Sequence, residues 1–226
     1  MILANTRGRL DAKDLRLVLL LLSRGSPVRQ AGFERRLEAE GPDPLLDDPA
    51  LAAGLLEVRS LVLPSQALFF YVLIRDLLRR SGVDDRDLAD YLAALLIEFG
   101  RRDRAFRVDW HDDQVHRYLV DIVADLAATE GERRFQVMAH LGNFALWLSG
   151  LFPDYIAARR LRKGGPDLSY YDALGRRGFA LASDHALADR YQLDGVFRAA
   201  ADHYDEVRRV LNQLSDRLLF PPGYAH

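Results

Sequence analysis

His140, Asn143 and Trp147 recur at intervals of three and four residues, the spacing that stacks side chains along one face of an α-helix. Gln136 lies one turn earlier on the same stripe. An imidazole, an amide and an indole aligned in this way, with Tyr155 and the pair Tyr170–Tyr171 downstream, could wall a small-ligand pocket or a partner interface. His140 is the group of this set that titrates near neutral pH, so it is the one able to act as a general acid or base. A phenol at a helix start can be half-buried with its hydroxyl near water, which suits Tyr170 and Tyr171 to the same wall. Arg75 follows the apolar run ALFFYVLI and adds a candidate buried cation. His140, Asn143, Trp147, Tyr170, Tyr171 and Arg75 form the candidate ligand-binding set, with no residue assigned a catalytic role.

Other chemistries lack their residues. There are no cysteines among the 226 residues, which removes disulfides, thiolate nucleophiles and cysteine-ligated metals. A di-iron bundle needs Glu-x-x-His on facing helices, and the motif does not occur. Asp113-x-x-His116 and His185-x-x-x-Asp189 have helical spacing but are single short-range pairs, read as surface polarity near helix ends. His111-Asp112 is similar to the pair of the HD-type phosphohydrolases. That family needs an earlier histidine ligand, and His111 is the first histidine of the chain. Asp112 is therefore expected to cap a helix. Asp84-Asp85-Arg86-Asp87 and Asp121-x-x-x-Asp125 only faintly resemble the aspartate-rich magnesium sites of isoprenoid synthases, and Asp121 and Asp125 fall off the expected apolar stripe. No phosphate loop, dinucleotide fingerprint or nucleophile elbow is present. No metal site and no cofactor is expected.

The net charge of -2 exerts no general pull on nucleic acid or anionic membrane. Arginine outnumbers lysine 29 to 2, a bias expected of a GC-rich bacterial genome rather than of phosphate binding. Arg101–Arg107 and Arg159–Lys163 are locally basic, and residues 11–40 could form a helix-turn-helix, so nucleic-acid binding is the third-ranked function. The longest N-terminal apolar run, Leu17–Leu22, is far short of the roughly 20 residues a membrane helix needs. It also lacks the flanks of a secretory signal. A cytoplasmic location without membrane association is expected.

The elements that must position these residues read as helices throughout. No segment alternates with period two, and threonine is nearly absent. Asp11, Ser26-Pro27, Asp48-Pro49, Ser65 and Asp84 or Asp85 are helix starts, while Gly25, Gly41, Gly82 and Gly100 follow helix ends. Further helices are expected over 112–129, 132–149, 153–163, 169–184 and 194–219, with Gly150 and Pro221-Pro222 as stops. The expected fold is all-α, one compact domain of about ten helices over 1–226, with an N-terminal hairpin at 11–40 packed on 48–220. Ala67–Ile74 and Leu92–Ile97 are apolar on nearly every face and should be its buried centre. Gly175, Gly178 and Ala182 place small residues at i, i+3 and i+7, where two helix backbones can approach closely.

The segments GLFPDYI (150–156) and SYYDALGRRGFALAS (169–183) together resemble a motif pair of bacterial all-α proteins of unknown function. The resemblance implies a bacterial source and a helical fold, and it carries over no catalytic residue. The leading functional expectation is a helical interaction or regulatory protein acting through protein–protein contacts, including self-association as a homodimer. The alternative is a small-ligand binder or enzyme with its pocket near His140 and Tyr170.

Overall fold

Asp11 opens the first helix through a reciprocal capping box. Its carboxylate accepts from the backbone N–H groups of Lys13 and Asp14, and the Asp14 carboxylate accepts from that of Asp11. The computed structural model describes residues 1–57 and 63–219. Among these residues the chain is all-α, with thirteen α-helices and no strand. They fall into two compact units, residues 5–97 and residues 98–219 with 1–4.

The first unit holds α1 (Ala12–Ser23), α2 (Pro27–Glu40), the short α3 (Asp43–Leu46), α4 (Pro49–Glu57), α5 (Gln66–Arg80) and α6 (Arg86–Phe99) as far as Ile97, the last two residues of α6 belonging to the second unit. Ser26 caps α2 ahead of a first-turn proline, Ser65 caps α5, and Asp85 accepts from the N–H of Leu88 at the start of α6. Helices α1 and α2 pack as a hairpin, α1 also meets α4, and α4 meets α5. The two apolar runs are the interior, as their lack of a polar face requires. On α5, Leu68, Tyr71, Val72 and Ile74 are almost wholly buried, and on α6 so is every residue from Leu88 to Leu95, Asp90 included. Each such large side chain contributes roughly 1.5–3 kcal/mol on burial. The Leu17–Leu22 run is consumed inside the chain at Leu17, Val18, Leu19 and Leu22, leaving Leu20 exposed.

The second unit holds α7 (Leu119–Ala128), α8 (Gly131–Leu151), α9 (Pro153–Lys163), α10 (Leu168–Ser183), α11 (Ala186–Arg190), α12 (Asp194–Asp202) and α13 (Tyr204–Leu214). Its centre is α8, which packs against α7, α9, α10, α11 and α13. From Met138 to Leu146 every residue of α8 is buried. The closest approach is to α10. A Cβ built on Gly178 would lie 2.5 Å from the backbone nitrogen of Gly142, and one on Gly142 would lie 2.7 Å from the Phe179 ring. Gly178 thus lets the two helix backbones touch, whereas Gly175 of the same stripe faces the Tyr204 side chain of α13. At its C-terminal end α8 has carbonyls without intrahelical donors. Asn212 donates to the carbonyls of Ser149 and Gly150, and the Ser215 hydroxyl donates to that of Leu151 at 2.9 Å.

Four expectations need correction. No helix starts at Asp112; residues 107–118 are irregular, and α7 begins only at Leu119. The Asp112 carboxylate instead accepts from the backbone N–H of Asp109 and from Arg133, while the Arg107 guanidinium donates to the Asp112 carbonyl. Such side-chain bonds give the backbone an alternative to a helix. Gly150 does not stop α8, which runs through it. It is a contact glycine whose Cβ would lie 2.8 Å from that of Leu211. Asp167, not Ser169, caps α10, accepting from the N–H of Tyr170. The helix expected over 194–219 is broken at His203 into α12 and α13, at a point carrying neither glycine nor proline. The expected Pro221-Pro222 stop lies outside the described residues.

Candidate functional site

Trp147 stands on α8 at the edge of the core of the second unit, a cluster that includes Val108, Leu119, Ile122, Leu141, Phe144, Ile156 and Tyr171. Its indole is surrounded by rings. The Phe152 centroid is 4.9 Å away, that of Phe99 5.8 Å and that of Phe106 6.2 Å, all three edge-on, and Phe144 lies 6.1 Å away. Edge-on pairs of this kind are worth about 0.5–1.5 kcal/mol each beyond simple burial. Phe152 is placed by the junction of two helices. Its N–H donates to the Leu148 carbonyl at the end of α8, and Pro153 starts α9 directly after it.

Trp147, Phe106, Phe144 and Phe152 floor an open recess of about 290 Å³, with Phe99 behind them. Phe106, Phe144, Trp147, Leu148, Phe152 and Tyr171 form its apolar surface, and Arg117, Tyr118, Tyr155 and Arg159 stand around it. Tyr118, the extended residue before α7, and Tyr155 on α9 are about half exposed. Arg159, one turn beyond Tyr155, places its guanidinium 4.4 Å from the centre of the Tyr118 ring, a cation–π contact. Arg117 lies 5.6 Å from the centre of the Phe106 ring in the same manner. Burial pushes the Tyr171 phenol above its ordinary pKa, outweighing the neighbouring Arg159 cation, so the hydroxyl stays protonated. Among the described residues, the polar groups lining this recess are phenols and guanidiniums, without a carboxylate or imidazole.

Only part of the expected set meets here. Trp147 and Tyr171 line the recess. His140 and Asn143 are buried within α8, so the stripe they share with Trp147 is no wet surface. The His140 ring lies between Phe99 and Phe144, at 5.9 and 6.0 Å, behind the ring that floors the recess. Tyr170 packs edge-on against Tyr171 but points to solvent and does not line it. Arg117 and Tyr118 escape the sequence reading because a helix is expected over 112–129, and Phe106 because it lies in a stretch marked only by its basic residues. Arg159 was legible: Tyr155, Ala158, Arg159 and Arg162 repeat at i, i+3, i+4 and i+7 along one face of α9.

Burial holds His140 well below the ordinary histidine pKa, and the neighbouring guanidiniums of Arg104 and Arg133 act in the same direction. The unfolded chain takes up a proton near pH 6.5 while the folded chain does not, so stability should fall as pH drops below about 6.5. His140→Gln removes this difference. Urea unfolding should show wild type losing about 1 kcal/mol more than the variant between pH 8 and pH 5.5; parallel pH profiles would refute the assignment. His116, expected at the surface, is completely buried. Its Nε2 lies 3.3 Å from the Asp125 carboxylate, which Arg133 also holds at 3.1 Å while reaching Asp112 at 2.7 Å. The reason is tertiary: an isolated i, i+3 pair gives no hint that α8 supplies Arg133.

Arg75 belongs to the other unit, where it is the buried cation its position suggested. It donates to both Asp47 oxygens at 2.8 and 3.1 Å and to Asp84. Asp47 also accepts from Arg86 at 2.7 Å. Burial alone would raise the Asp47 carboxyl, but Arg75 and Arg86 hold it below the ordinary carboxylate value. Among the described residues no group of three or more His, Asp or Glu side chains is arranged to hold a metal ion. No described helix is long and apolar enough to cross a membrane. No family model, no curated protein and no solved structure matches the chain.

Proposed function

We propose that the second unit binds a small ligand through its apolar portion, in the recess beside Trp147. The observation that carries this reading is the set of aromatic side chains lining an open recess of about 290 Å³, close to the lower end of the range common for ligand sites. A protein–protein contact, the leading expectation from the sequence, would instead seat a partner's side chain on the same rings. The polar groups lining the recess suit recognition: phenol hydroxyls donate hydrogen bonds, and guanidiniums attract negative charge. They offer no group poised to exchange a proton at neutral pH. We therefore read the site as a binding site, not a catalytic one.

A neutral fluorescent probe tests this directly. N-Phenyl-1-naphthylamine should bind with one-to-one stoichiometry and a Kd on the order of 10–100 µM, as the atom count of such a ligand allows. Leu148→Trp places an indole in the recess and should weaken binding at least tenfold. Tyr155→Ala removes a half-exposed ring away from the core and should weaken it by a few-fold without loss of helix content. No probe binding, or equal binding by wild type and both variants, would refute the proposal.

A further inference from the structure

We infer that the natural ligand is a soluble amphipathic anion, its apolar tail in the aromatic recess and its carboxylate- or phosphate-type head on Arg159, Arg162 and Lys163. This rests on the reading of the recess as a ligand site and assigns the class of molecule. A second hollow of about 260 Å³ adjoins the first and shares Tyr118, Tyr155 and Arg159 with it. Its remaining walls are Ala158, Arg162 and Lys163. The two hollows differ in emphasis: the first is mostly aromatic and aliphatic, with Arg117 and Arg159 at its rim, and the second sets Arg159, Arg162 and Lys163 beside Tyr118 and Tyr155. Arg159 stands where they meet, against the Tyr118 ring.

Arg159 rests against the Tyr118 ring and beside the Tyr171 phenol, and the cations on this face are otherwise short of anionic partners. On α9, Arg160 pairs with Asp167 at 3.5 Å. Among the described residues, Arg159, Arg162 and Lys163 pair with no carboxylate within 4.0 Å. Basic residues in a last helical turn also complement the helix dipole, which is the ordinary explanation for Arg162 and Lys163. The dipole amounts to only about half a negative charge at that end. Three cations around one hollow exceed it and leave a net positive site. The dipole does not explain why Arg159 and Arg162 share the α9 face of Tyr155 and Ala158, toward the recess. A lipid headgroup and a free anion present the same chemistry, but the tail compartment measures only about 290 Å³, room for one short chain, which favours a single short-tailed molecule in solution.

The test compares ligands that differ only in the head. Decanoate, decan-1-ol and decylammonium are titrated into the full chain carrying Trp110→Phe, so that Trp147 is the sole indole reporting by fluorescence. Decanoate should bind at least tenfold more tightly than decan-1-ol in 20 mM salt, and decylammonium more weakly than either. The preference should shrink severalfold at 300 mM salt, because exposed charges are screened. Arg162→Gln/Lys163→Gln, both exposed positions, should reduce decanoate binding severalfold and leave decan-1-ol unchanged. If none of the three binds, the recess itself is not a ligand site. If decan-1-ol binds and decanoate binds no better, the recess stands and the anionic assignment is overturned. Co-sedimentation with phosphatidylglycerol vesicles in the absence of any decanoate binding would also overturn it, in favour of a lipid surface.

Discussion

Gly178→Ala is expected to destabilise the protein by about 1–3 kcal/mol despite improving helix propensity. The added methyl would lie 2.5 Å from the Gly142 nitrogen and 3.0 Å from the Met138 carbonyl oxygen. Both are backbone atoms of α8, so relief requires the two helices to separate rather than one side chain to turn. In a packed interior such a shift opens gaps elsewhere along the seam. Alanine gains up to about 1 kcal/mol over glycine in a helix, and the clash must exceed that. Gly178→Val, which adds two more methyl groups, should prevent folding. Gly32, inside α2, is the control: a Cβ there meets nothing within 4 Å. Gly32→Ala should therefore stabilise by about 0.5–1 kcal/mol. Chemical denaturation of the two alanine variants should move the midpoint in opposite directions; equal shifts would show that the α8–α10 seam is not tight.

Arg75→Ala should cost about 3–5 kcal/mol, the usual loss when one member of a buried ion pair is removed. The side chain is 3% exposed and that of Asp47 13%, so the bidentate pair lies largely out of water. Asp84 is 74% exposed, and its bond to Arg75 adds little. The penalty is mostly that of leaving the Asp47 carboxylate without its chief partner. Removing both charges should then be milder than the sum of the single changes. In a double-mutant cycle with Asp47→Ala, the pair should show a coupling energy of about 2 kcal/mol or more. Additive losses would mean that Arg75 contributes packing alone.

The same two positions show what was legible before the fold was known. The i, i+3, i+7 spacing of Gly175, Gly178 and Ala182 announces a close helix contact, because only the absence of side chains serves it. It does not reveal the partner, since Gly142 lies on another helix more than thirty residues away. Arg75 after ALFFYVLI reads as a buried cation, yet its partner Asp47 sits in a connection that gave no sign of it. In the candidate site, Trp147 and Tyr171 were recognisable as unusual residues on otherwise apolar helices. His140 was equally conspicuous and proves to be packed between rings behind the recess. Composition can mark an aromatic as available for binding, but whether it faces a cavity depends on what packs over it.

Helix content, most helix starts, the two buried runs in the first unit and the small-residue seam are local or periodic properties. Capping hydrogen bonds, proline placement and 3.6-residue periodicity act within a few positions, so the sequence by itself determined them. The central role of α8, the irregular path of residues 107–118, the burial of His116 and the joining of Phe106, Trp147, Tyr155 and Tyr171 around one hollow were decided only by tertiary structure. Each depends on residues far apart in the chain competing for the same hydrogen bonds or the same volume, and no local pattern records which of them prevails.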